Sequence, residues 1–407
     1  MRLPKSPLIA TAAILVLAGC SPTAVVLWTN VPDLVPAVEL YNASQDDHVV
    51  ELVYHTELAS ALRLAETRPD LVIGTSISDR ATAGMMQPLD RLMRRELEED
   101  AFYADLLASG VRNGRQHLLP VSFNLPLVYF AGGPVDAGTP IIIGPQEIRA
   151  RGDEFNEARN GSWMRVAYSP IWNPAFLYQY LRTHGFVARE AQNGAPVWPI
   201  EALLGGISGA REWMSDHGGL EADRAFQERY LYDPQIELVR RGRVAYGYHT
   251  SDRFLLLSDV RRAGLRYRWF GTTDEIRVLE RIVYAGIPAG AASRRGAERF
   301  LADLFNVERQ VEIMESTLRK RASVFGIVGG FSSLWRVTER HMPVLYPQLE
   351  GMIPPAGWLR FPPAQPRHWM NLVPQVVEPW LMREVAQAAQ TRDLESSVRT
   401  WLMQQED

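Results

Sequence analysis

The sequence predicts an α/β protein of two lobes, each built on a mainly parallel sheet flanked by helices. Two observations carry this. Short strand-period runs alternate with helix-period segments from the first residues of the folded part onward. The chain of 407 residues, 46% hydrophobic and 22% charged, is an ordinary globular composition of a length that exceeds one domain. In order, residues 25–29 are an apolar run closed by Asn30, Pro32 and Asp33, a strand and its turn. Leu34, Val38 and Tyr41 then fall at helical spacing. Residues 49–54 read as a second strand, 58–65 as a second helix, and 71–73 as a third strand preceded by Pro69-Asp70 and closed by Gly74. Further strands are expected at 125–130, 164–167 and 244–248. Ala297, Phe300, Leu301, Leu304 and Phe305 form an amphipathic helical stripe that Ser293 can start. Two more helices are expected at 373–389 and 394–403, after a proline-rich stretch at 354–366 that must be extended or irregular.

The first nineteen residues do not belong to this pattern. Arg2 and Lys5 precede an apolar stretch at 8–18 that is free of acids, which reads as an export signal at 1–19. Eleven residues are too few to span a bilayer core that needs about 20. The segment ends in Leu17-Ala18-Gly19-Cys20, which resembles the bacterial lipobox, and this implies a lipid on Cys20, the only cysteine of the chain. A lone thiol also leaves no intramolecular disulfide.

Charge narrows the partners. The net charge is −4, and −6 once Arg2 and Lys5 leave with the signal, which argues against nucleic acid because phosphate binding needs a basic face. Of the 43 basic residues only Lys5 and Lys320 are lysine. A phosphate loop of the Walker type is therefore missing from the sequence, and a Schiff base would have the single candidate Lys320, set in the charged run Arg319-Lys320-Arg321.

Several strings in order resemble the extracellular solute-binding proteins of family 1, the maltose-binding-like lipoproteins of ABC sugar importers. They are Val26-Leu27-Trp28-Thr29, Glu39-Leu40-Tyr41-Asn42, Pro69-Asp70-Leu71-Val72-Ile73-Gly74, Leu119-Pro120-Val121-Ser122-Phe123-Asn124 running into Leu127-Val128-Tyr129-Phe130, Gly242-Arg243-Val244-Ala245-Tyr246, and Ala285-Gly286-Ile287-Pro288-Ala289 before Ala297-Glu298-Arg299-Phe300-Leu301. The stretch 134–161 departs from the pattern. The resemblance implies a two-lobed periplasmic-binding-protein fold of type II, with residues 23–122 plus about 275–320 as lobe 1 and 124–270 plus about 321–407 as lobe 2. It implies a ligand between the lobes at the carboxyl ends of the strands. That directs attention to Trp28, to Thr75, Ser76 and Asp79, to Asn124, and to Tyr248 and Asp252, with His249 beside them. The resemblance adds Trp172, at the start of a helix with Phe176 and Tyr180, and Trp369, at the start of a late helix. Aromatic faces and fixed polar groups suit a saccharide, whose hydroxyls must be paired when they leave water. Arg80 and Arg253 would decide for an anionic ligand, unless they pair with Asp79 and Asp252. Trp213 and Trp401 read as helix packing.

Enzyme readings fare less well. The eight histidines include no i, i+4 pair with an intervening Glu, so no metal site is expected. Gly206-Ile207-Ser208-Gly209-Ala210 imitates a nucleophile elbow but lacks its last glycine and lies in an apolar helical context. The expectation is a non-enzymatic, monomeric lipoprotein without cofactor. It would be tethered outside the cell membrane by Cys20 and deliver a small solute, a sugar or oligosaccharide, to ABC permease subunits. An extracytoplasmic hydrolase and a non-transporting sensor or assembly protein are the alternatives.

Overall fold

A computed structural model of the protein describes residues 23–132, 140–386 and 393–405, and all structural statements concern these. The expected signal segment and Cys20 lie outside them, as do residues 133–139, the last six of which begin the stretch that matched no pattern. Two sheets organise the chain. The first has strands β1 (Thr23–Thr29), β2 (His48–Tyr54), β3 (Leu71–Gly74), β4 (Leu119–Phe123), β9 (Val283–Gly286) and β10 (Phe331–Ser332), in the order β10-β4-β9-β3-β1-β2. The second has β5 (Pro126–Ala131), β6 (Ile142–Ile143), β7 (Tyr246–Thr250) and β8 (Leu265–Phe270), in the order β7-β5-β8-β6.

Both sheets are mixed rather than mainly parallel. β1 pairs in parallel with β2 and β3, and β8 with β6; the other ladders are antiparallel. The crossovers explain this: β4 leaves the first sheet towards the second, β9 comes back from it, and two such neighbours must oppose. A further departure concerns the tail. Residues beyond 321 were expected in the second lobe, yet β10 pairs Phe331 and Ser332 with Phe123 and Ser122 on the edge of the first sheet. The expected strand at 164–167 is part of a hairpin, Glu157–Arg159 with Ser162–Arg165.

Three crossings form the hinge. Asn124 and Leu125 join β4 to β5, residues 276–282 lead back to β9, and the proline-rich stretch returns once more, where Ile276 and Arg277 pair with Leu359 and Arg360. Asn124 ties the first two crossings together. Its Nδ2 donates to Gly329 O (2.8 Å), its Oδ1 accepts from Ser251 Oγ (2.6 Å), and its carbonyl accepts from Leu279 N (2.9 Å).

Packing follows the strand period. Leu127 and Tyr129 on one face of β5 join a core that continues under the first sheet, whereas Val128 on the other face joins Tyr248, Phe176, Phe270 and Trp369 in the second. That second core is covered by the helices Pro174–Thr183, Ile200–Ser215 and Glu378–Ala386. The near-elbow at 206–210 is inside the second of these, where Gly206 lets Leu181 approach: a β-carbon there would stand 2.7 Å from Leu181 Cγ.

Candidate functional site

The register of the parallel strands builds the site. Because Thr29 is level with Tyr54 of β2 and Ile73 of β3, the loops that begin at Asn30, His55 and Thr75 emerge side by side. Asn30 locks two of them, accepting from Thr75 N (2.9 Å) and donating to Thr75 Oγ1 (3.1 Å). This approach requires Gly74, since a β-carbon there would lie 2.4 Å from Asn30 Oδ1. Ser76 follows with φ of +63°, a left-handed backbone that costs a non-glycine residue energy and turns the chain along the rim of the site. Asp79 then caps the helix Arg80–Ala83 by accepting from Thr82 N (3.0 Å).

Above these loops lies a cavity of about 200 Å³. Its first wall is Asn30, Tyr54, Glu57, Ser60, Arg63, Thr75, Ser76 and Asp79; its second comes from Arg281, Arg367, His368, Met370 and Asn371. A narrow cleft continues from Ser76, Asp79 and His368 to Glu280, Gln365 and Trp369. Tyr54, 53% exposed, offers an aromatic face at the mouth. Two contacts bridge the walls: Asn371 Nδ2 donates to Glu57 Oε2 (3.1 Å), and Arg80 N donates to Glu190 Oε2 (2.8 Å).

Trp369 is fixed from behind by a buried polar cluster. Glu280 Oε2 accepts from Tyr178 Oη (2.6 Å), with Trp369 Nε1 at 3.4 Å, while Glu280 Oε1 lies 3.9 Å from Arg182 Nε. Arg182, 1% exposed, donates further to Gln179 Oε1 and Val278 O. Burial, and then the charge of Glu280, hold the Tyr178 phenol far above its ordinary range, so it stays a donor.

Of the residues selected in the sequence, Thr75, Ser76 and Asp79 line this space, while Trp369 borders only its narrow continuation and is itself 1% exposed, packed in the second core. Trp28 is half-buried against the core, with its ring 4.2 Å from that of His55. Asn124 is occupied by the hinge. Asp252 faces Asp33 across the hinge side: burial, and secondarily Asp252, raise the Asp33 carboxyl above its ordinary value. Two expectations need correction. Trp172 does not line this space: its half-buried indole stacks on Phe226 (5.2 Å, 9°) and donates to Asp223 Oδ1 (3.0 Å), so an internal carboxylate holds it against the core. Tyr248 is 4% exposed and packs edge-on to Phe176, because both faces of its sheet are covered.

Sequence reasoning missed Tyr54, Arg63, Arg281, Arg367, His368 and Asn371. Tyr54 carried a signal, as the residue ending the second strand. Arg63 and Asn371 lie on helices, and Arg281, Arg367 and His368 in irregular connections where no periodicity marks them.

One cluster elsewhere superficially suggests hydrolysis. Ser169, His217 and Asp223 stand together, but Ser169 Oγ donates to the carboxylate (2.9 Å) rather than to the imidazole, and all three are at most 2% exposed. Among the described residues no group of three His, Cys, Asp or Glu is placed to hold a metal, and no helix is long and apolar enough to cross a membrane. Two wider hollows, of about 540 and 640 Å³, lie elsewhere; one is lined by Gly132, Phe254, Arg262, Tyr267 and Gln348 among others, and the other is an open groove between the helices Asp90–Glu96 and Arg294–Leu304.

Solved structures share this architecture over nearly the whole chain. A sugar transporter from Rhizobium etli in an open conformation superimposes with a TM-score of 0.63, at 11% identity, over 94% of this chain and 99% of that one. A cyclic α-maltosyl-1,6-maltose binding protein from Arthrobacter globiformis gives 0.61 at 16% identity, over 93% and 97%. A maltose/maltodextrin-binding domain from Bdellovibrio bacteriovorus bound to maltotriose gives 0.56 at 16%, over 94% and 100%. No family model and no curated protein matches at the level of sequence. At such identities the likeness is one of fold: the chain has the two-lobed architecture of periplasmic binding proteins.

Proposed function

We propose that this two-lobed chain captures a small saccharide between its sheets and presents it to the permease of an ABC importer. The observation that carries the reading is the cavity at the ends of β1, β2 and β3, lined mainly by polar side chains, with the exposed ring of Tyr54 at its mouth, and walled by two parts of the chain that a hinge connects. Groups of this kind pair sugar hydroxyls and cover sugar C–H faces. Contacts across the cleft such as Asn371 with Glu57 fit a mechanism in which ligand stabilises closure of lobe on lobe. The cavity is below the roughly 300 Å³ at which pockets for drug-sized ligands begin, which favours one or two sugar units over a long oligosaccharide.

Within this reading, lobe 1 comprises the first sheet with the helices Val35–Ser44, Arg294–Leu304 and Val307–Arg319, and lobe 2 the second sheet with the C-terminal helices. Thr75, Ser76 and Asp79 belong to the binding site, with Tyr54 added, and Trp369 backs its second wall from the core, whereas Trp28 packs beside His55 outside it. Asn124 and Asp252 act at the hinge. The chain works as a monomer held outside the membrane by the lipid on Cys20, and the capture step needs no cofactor.

A thermal-shift panel of sugars, polyols, amino acids and organic acids on the mature chain tests the reading. Ligand at 100 times its Kd stabilises the folded form by about 2.7 kcal/mol, a clear rise in Tm. A saccharide should give that rise, and Tyr54→Ala and Asp79→Ala should lose it. Saccharide turnover by the purified chain would replace capture with hydrolysis, and uptake undiminished by deletion of the gene would favour a sensor. Radiolabelled fatty acid should enter the wild type and not Cys20→Ser.

A further inference from the structure

We infer that the captured saccharide is acidic: it carries a carboxylate, as a hexuronic acid does, and Arg367 and Arg281 receive it. The inference rests on the saccharide-capture reading and adds the charge of the ligand.

Three guanidinium groups, those of Arg63, Arg281 and Arg367, line a cavity that holds two carboxylates, Glu57 and Asp79. The carboxylates are already engaged, Asp79 by the amide of Thr82 and Glu57 by the side chain of Asn371. Glu280, at the adjoining cleft, is turned to Tyr178, Trp369 and Arg182. The cations are unequal. Arg63 donates to Thr82 Oγ1 (3.2 Å) and Ser60 Oγ (3.0 Å), which fixes it to its own wall. Arg281 and Arg367 make no hydrogen bond or ion pair within the described residues, and Arg281 is exposed.

Two buried nitrogens stand unpartnered in the same place. Arg367 Nε and His368 Nε2 are shielded from solvent and have no hydrogen-bond partner in the protein. Nitrogens hidden from water without an acceptor are rare in folded proteins and call for an explanation. Like charges also meet: Arg367 pushes the Arg63 guanidinium below its ordinary value, after burial, and burial followed by Arg367 and Arg63 pushes the His368 imidazole down, against the pull of Asp79 and Glu57. An anion between Arg367 and Arg281 would take up the open guanidinium N–H groups and offset the repulsion at once. A guanidinium fork matches a carboxylate in two parallel hydrogen bonds. Arg80, the cation suggested by the sequence, is exposed and not among the cavity residues, its amide on Glu190.

Calorimetric titration of the mature chain with galacturonic and glucuronic acid and their di- and trisaccharides, beside galactose, glucose and the matching neutral oligomers, decides the point. An acid should bind at least about tenfold more tightly than its neutral counterpart, as hydrogen bonds to charged groups imply. Its affinity should fall by a similar factor in Arg367→Gln, and also in Arg281→Gln, which alters an exposed side chain and leaves the fold alone. Raising salt should weaken the acid and not the neutral sugar. Neutral sugars that bind as well as or better than the acids, undiminished in both variants, would overturn the acidic ligand and leave saccharide capture standing. A chain that binds neither kind would overturn both.

Discussion

The two walls of the cleft were built by different means, and only one of them announces itself in sequence. On the first-lobe side, parallel strands of matched register end together, so Asn30, Tyr54 and Thr75 are neighbours because β1, β2 and β3 are. On the second-lobe side the strand ends carry Tyr248 and Trp269, which are buried in cores, and the wall is supplied by Arg367, His368, Met370 and Asn371, which enter the second lobe only after the last crossing of the hinge. The lesson is that an aromatic at a strand end marks a ligand wall only where the sheet leaves that end uncovered. The wall of the second lobe also depends on a buried ionic cluster, whereas that of the first depends on loop hydrogen bonds.

Removing Arg182 should break the second wall. Arg182→Met leaves Glu280 buried without its cation and Val278 O without a donor. Breaking a buried pair on one side costs about 3–5 kcal/mol. Urea unfolding should report that loss. Because Glu280 also holds Trp369, saccharide affinity should fall with it; stability unchanged within about 0.5 kcal/mol would mean that the cluster does not hold the wall.

A smaller effect should separate Trp172 from the cavity. Trp172→Ala removes a stacked ring and a donor to the fully buried Asp223, at a cost of about 3 kcal/mol. Affinity, measured by calorimetry well below the melting range, should stay within about twofold of wild type. Asp79→Ala should affect both, losing about 1 kcal/mol from the helix cap and weakening ligand. If Trp172→Ala abolished binding without loss of stability, the sequence expectation of a tryptophan wall would be reinstated.

The contrast also explains what could be read in advance. The order β-α-β-α-β in the first 75 residues was legible because strand and helix periods alternate cleanly there, and so were Thr75, Ser76 and Asp79, which follow a strand. Tyr54 was legible by the same rule and was overlooked. The strand β10 was not, since two residues carry no period, and its pairing with β4 spans over 200 positions. Arg367 and His368 sit after Pro366, where no repeating pattern says which side chain faces which surface. The mixed pairing was hidden because sequence shows that strands alternate with helices but not in which lobe a strand returns.

At the hinge the walls meet through Asn124 and Asp33. Asn124→Ala should cost about 1–2 kcal/mol, since Ser251 Oγ and Gly329 O both lose a partner. Small-angle scattering should show a ligand-free particle larger than wild type, and an unchanged profile would assign Asn124 to local packing alone.

The smallest effect concerns charge on the two sides of the cleft. Away from the hinge the lobes attract, through Glu57 with Asn371 and Glu190 with the amide of Arg80. Beside the hinge they bring Asp33 and Asp252 together, with Asp33 raised above its ordinary value of 3.8 by burial first and by Asp252 second. A carboxyl raised in the folded state binds its proton more tightly there than in the unfolded chain. Its contribution is therefore full below the unfolded pKa and is lost as pH rises through the folded one. Folding stability should decline modestly as pH rises through the window just above 3.8. Asp252→Asn removes the second cause and leaves the first, so the Asp33 carboxyl carbon, followed by NMR, should titrate at lower pH than in wild type yet above 3.8. A midpoint identical to wild type would mean that the two carboxylates do not face each other, and the hinge side of the cleft would then be held no differently from the other.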